Sequence, residues 1–95
     1  MQTYKVMPYP DYMKADIRNI KSYRADNIDN LRRNLAKEYE NSAGILTVLN
    51  DNNSAIGDLF IGYKSRGSYI YWRKPFAGDD WQIVDPATGK LKGRY

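Results

Sequence analysis

The chain contains neither cysteine nor histidine. Without cysteine there is no disulfide framework and no thiol nucleophile. Without histidine there is no Ser-His-Asp or Cys-His catalysis within the chain, and no imidazole base near neutral pH. Zinc loses its two commonest ligand types. Long apolar runs are missing too. The longest, Gly44 to Leu49, is strand-sized, against the ~20 residues that a bilayer span requires. The opening Met1-Gln2-Thr3-Tyr4-Lys5-Val6 lacks the charged-then-apolar plan of a secretory leader, and no lipidation motif is present. A cytoplasmic protein without a membrane segment is the expectation. Glycine-rich phosphate loops, zinc-protease helices and serine-hydrolase elbows are also absent.

What remains is 95 residues with 42% hydrophobic and 14% aromatic content, enough for one folded domain with a modest core. Neither repeats nor low-complexity tracts interrupt it. Fifteen basic and eleven acidic residues give a net charge of +4, divided evenly between the halves. Locally the charge concentrates. Tyr63 to Lys74 carries Lys64, Arg66, Arg73 and Lys74 without an acid, and the C-terminus carries Lys90, Lys92 and Arg94.

Periodicity outlines the elements. Thr3–Met7 alternates like an edge strand, and Pro8 and Pro10 then hold the chain extended. Met13, Ile17 and Ile20 make one apolar stripe, predicting a short helix over about 11–20. Ile20 to Ala25 alternates and reads as a strand or loop. A second helix follows over about 26–40, with Asp26 as N-cap and Ile28, Leu31, Leu35 and Tyr39 as its apolar stripe. Gly44 is available to cap it. β texture follows: Ile45–Leu49, Ile56–Tyr63, Ser68–Lys74 and Trp81–Val84, with a weak strand near Leu91. Turns fall at Asn50–Ser54, Lys64–Gly67 and Asp85–Lys90. The expected fold is α+β: a single domain whose N-terminal helical segment packs on a four- to five-stranded antiparallel β-meander.

The hairpin Tyr63–Lys74 is the candidate site. Aromatic side chains on a sheet can stack unpaired bases while Lys and Arg neutralise phosphates. The candidate binding residues are Lys64, Arg66, Tyr69, Tyr71, Arg73 and Lys74. Tyr69, Tyr71 and Arg73 alternate onto the face away from the helix, and Trp72 alternates into the core. The same composition also suits a soluble sheet surface that binds nothing. Nine tyrosines against two phenylalanines fit half-buried surfaces and interfaces. Asp51, Asp58, Asp79, Asp80 and Asp85 lack the spacing of a calcium loop, so no metal and no cofactor is expected.

Three functions compete. The first is a small non-catalytic binding protein whose partner is another protein or a single-stranded nucleic acid, with no membrane and no small-molecule cofactor involved. In the second, the outline of helices followed by a basic sheet, with Lys64, Arg66, Arg73, Arg94 and Tyr95, resembles RelE/ParE-type toxins. That resemblance implies ribosome-dependent RNA cleavage by those basic residues and the terminal tyrosine. The third is a homo-oligomer paired through Ile45–Leu49 or the C-terminal strand as a sheet edge.

Overall fold

The computed structural model describes residues 1–16, 18–62 and 69–94. The chain runs β1 (Gln2–Pro8), α1 (Tyr9–Met13), β2 (Lys21–Ala25), α2 (Ile28–Glu38), β3 (Gly44–Leu49), β4 (Ala55–Ile61), β5 (Ile70–Arg73), β6 (Gln82–Val84) and β7 (Leu91–Arg94). The fold is α+β, but the sheet has seven strands, in the order β2-β1-β3-β4-β5-β6-β7, rather than four or five. Every neighbouring pair is antiparallel. The two additional strands come from the N-terminal segment. Lys21–Ala25 pairs with β1 and becomes the edge, so Thr3–Met7 lies inside the sheet. Ile45–Leu49 is also interior, flanked by β1 and β4, and supplies no edge for pairing.

Helix α2 forms where its stripe predicts, but its N-cap is Asn27. The Asn27 side chain accepts from the Asn30 backbone N–H at 2.9 Å, while Asp26 stands one residue too early to reach it. Tyr39 ends the helix, and Gly44 opens β3 instead of capping α2. The first helix is much shorter than expected. Pro10 sets its start, and Ala15 turns left-handed at φ 53°, so the helix covers only Tyr9–Met13. Met13 is exposed rather than core, Ile20 lies outside the helix, and Ile17 is outside the described residues.

Leu31, Leu35 and Ala36 of α2 pack on Val6, Val48, Leu59, Ile70, Trp72 and Val84 of the sheet. Each large apolar side chain so buried contributes about 1.5–3 kcal/mol. Both ends of the sheet reach this one helix. Tyr23 of β2 donates to Glu38, and the Gly89 carbonyl between β6 and β7 accepts from Arg32 Nε at 2.8 Å. Seven strands spaced at about 4.8 Å would span roughly 29 Å if flat, several times the width of a helix. The sheet therefore curls around α2, and its concave face is the core. Gly57 permits a close approach inside: a Cβ there would lie 2.0 Å from the Trp72 ring. No helix among the described residues is long and apolar enough to cross a membrane.

Candidate functional site

Strand alternation sends Tyr71 and Arg73 to the convex face, away from α2, and Trp72 to the core. Register then sets their neighbours. Asp58 lies opposite Arg73, and Phe60 opposite Tyr71. Thr47 lies opposite Asp58 on the other side. Helix α1 lies over this part of the convex face and brings Tyr9 to Arg73.

Arg73 is held from every side. Its Nε donates to Asp58 Oδ2 at 2.8 Å, and Nη1 donates to the Gly78 carbonyl. Thr47 Oγ1 donates to the other Asp58 oxygen at 3.0 Å. The Arg73 guanidinium sits 4.4 Å from the Trp81 ring centroid and 5.3 Å from that of Tyr9. The side chains of Arg73 and Asp58 are 13% and 8% exposed, so the pair is largely dry. Two neutralised, mutually satisfied charges at the centre of the face leave little capacity for a phosphate or a metal. No group of three metal-ligating side chains occurs among the described residues.

Around that centre the face is aromatic and apolar. Ile45, Phe60, Tyr71 and Ile83 lie directly opposite one another across four adjacent strands. They form one continuous row, each side chain half-buried. Phe60 meets Tyr71 and Trp81 edge-on, with centroids 5.7 and 5.8 Å apart. Beside the row, α1 and the loop after β5 enclose a cleft of about 300 Å³, lined by Tyr9, Tyr12, Met13, Asp58, Arg73, Pro75 and Phe76.

The sequence-based candidates separate here. Tyr71, Arg73 and Lys74 come together on or beside this face, with Lys74 exposed. Tyr69 does not join them. It is buried in the core cluster, and it precedes β5, which begins at Ile70, so the alternation of that strand does not fix its facing. An exposed Tyr69–Tyr71–Arg73 strip is therefore not formed. Lys64, Arg66 and Tyr95 lie outside the described residues, and Arg94 falls on edge strand β7. Asp58, Tyr9 and Trp81 were missed as partners of Arg73, and Thr47 as the partner of Asp58. A signal for Asp58 existed: a hairpin loop centred between Ser65 and Arg66 pairs Asp58 with Arg73.

Comparison with known proteins returns no matching family model, no matching curated protein and no matching solved structure.

Proposed function

We propose that the chain is a small non-catalytic cytoplasmic binding module whose partner is another protein, held against the convex sheet face. The observation that carries this reading is the cross-strand row Ile45–Phe60–Tyr71–Ile83, flanked by Trp81 and half-open to solvent. Aromatic and aliphatic side chains on a rigid sheet are the usual anchors of a protein interface, and they need little reordering to bind. The electrostatics favour a protein over a nucleic acid. Arg73 is committed to Asp58 and to a backbone carbonyl, so among the described residues the centre of the face carries no free cation for phosphate. The same pairing weighs against Arg73 as the cleaving residue of a toxin-like nuclease.

The test uses the Tyr71→Thr, Ile83→Thr double variant. Threonine keeps strand propensity, and each lost cross-strand contact costs about 1 kcal/mol or less, so the fold survives. The wild-type chain, immobilised, is expected to retain a specific protein from cell extract. The variant, with its circular dichroism spectrum unchanged, is expected to bind that protein at least tenfold more weakly. Equal retention by both chains overturns the reading. So does tight binding of poly-uridine RNA that weakens steeply with salt.

A further inference from the structure

The strongest unexplained feature lies beside that row. Phe76 is 94% exposed. Its backbone adopts φ 61°, a left-handed conformation that bulky side chains rarely accept. The loop that carries it is well tied: Ala77 N donates to the Lys74 carbonyl at 3.2 Å, Asp80 N to the Ala77 carbonyl at 3.2 Å, and Arg73 to the Gly78 carbonyl. Phe76 is thus projected by a fixed backbone, at a double cost of conformational strain and exposed aromatic surface. Glycine or asparagine at this position would remove both costs.

A hole stands next to this knob. Phe76 forms one lip of the 300 Å³ cleft, and Met13, 63% exposed, forms another. Tyr9, Tyr12 and Pro75 supply apolar walls, and the neutralised Asp58–Arg73 pair supplies the floor. A convex apolar side chain adjacent to a concave apolar site is what a two-fold interface requires, since each copy must offer both halves of the contact. The charges beside Phe76 agree. Lys74 and Asp79 flank it, both are exposed, and neither has an ion pair among the described residues. A rim with one free charge of each sign is self-complementary, whereas a polyanion or an acidic partner would call for cations alone.

We infer that this cleft receives the Phe76 side chain of a second copy of the chain, each copy filling the other's cleft, with Lys74 of one facing Asp79 of the other. This pairing is separate from the row Ile45–Phe60–Tyr71–Ile83, and either surface can fail its test without the other.

The experiment is light scattering on the full chain from about 10 µM to 1 mM, the range in which small interfaces associate. The mass is expected to rise from 11.0 kDa towards twice that value. Phe76→Asn is expected to stay monomeric throughout, and to melt no lower than wild type at 10 µM, because asparagine relieves the strained backbone. Lys74→Asp is expected to weaken dimerisation, and Lys74→Asp with Asp79→Lys to restore it. A wild-type chain still monomeric at 1 mM overturns the inference. So does a Phe76→Asn variant that dimerises as well as wild type, or the loss of dimer in Tyr71→Thr, Ile83→Thr alone.

Discussion

Arg73 is chemically unlike the surface cations around it. On a solvated face its charge would meet water and any passing anion. Here Asp58, Thr47 and two aromatic rings take it out of water, so its worth depends on the whole set staying intact. Asp58→Ala leaves the guanidinium buried without its counter-ion and is expected to cost about 3–5 kcal/mol in urea unfolding. Lys74→Ala, one residue along and exposed, is expected to change stability by about 0.5 kcal/mol or less. The identity and facing of Arg73 were legible from alternation. Its neutralisation was not, because that depends on β3, β4, α1 and the loop before β6 meeting at one point.

At the scale of elements, α2 shows what local sequence can and cannot settle. Its stripe of Ile28, Leu31 and Leu35 and its acidic first turn were readable, because helical spacing repeats within the element itself. The role of Arg32 was not readable. Helical spacing puts it off the apolar stripe, yet it is buried. Its guanidinium lies 5.0 Å from the Trp72 ring centroid, pairs with Asp29 and donates to the Gly89 carbonyl. Burial draws its pKa below the ordinary arginine value, and Asp29 opposes that shift. The Asp85–Lys90 turn, called by its Asp-Pro and its glycine, forms with Asp85 N donating to Lys90 O at 2.9 Å. Gly89 has φ 77°, and a Cβ there would lie 1.7 Å from the Asp29 carbonyl oxygen. Gly89→Ala must therefore push the turn off α2 and strand Arg32. The expected loss is roughly 2–4 kcal/mol, read as a lower urea midpoint with an unchanged slope. The failure at α1 has the opposite cause. Met13, Ile17 and Ile20 have helical spacing, but the chain leaves the helix after Met13 and places β2 at the edge of the sheet.

For the whole molecule, the curl of the sheet decides what is inside. Its two ends are fastened to α2 by the Tyr23–Glu38 and Arg32–Gly89 hydrogen bonds. The first fastening is sensitive to alkali. Burial, and then the hydrogen bond to Glu38, raise the Tyr23 pKa well above that of a free phenol. The folded state thus holds this proton more tightly than the unfolded state. Its contribution is complete below the free-phenol value of about 10 and is lost as pH rises beyond it. Ultraviolet titration is expected to show a late tyrosine step that coincides with loss of the fold and that is diminished in Tyr23→Phe.

The amino-acid sequence by itself determined the elements whose signal is local: helix α2, the strands from Ile45 onward, the turns at Asn50–Ser54 and Asp85–Lys90, and the opposite facing of Trp72 from Tyr71 and Arg73. Side-chain period and turn chemistry act over a few residues, so no distant contact is needed to read them. Only the tertiary structure decided that seven strands form one curled sheet, that Tyr69 and Arg32 are buried, and that Arg73 is neutralised while Phe76 stands in solvent. Those outcomes depend on pairing across long sequence separations. There, closure around α2, rather than the preference of any one residue, sets which charges stay wet and which surfaces remain open.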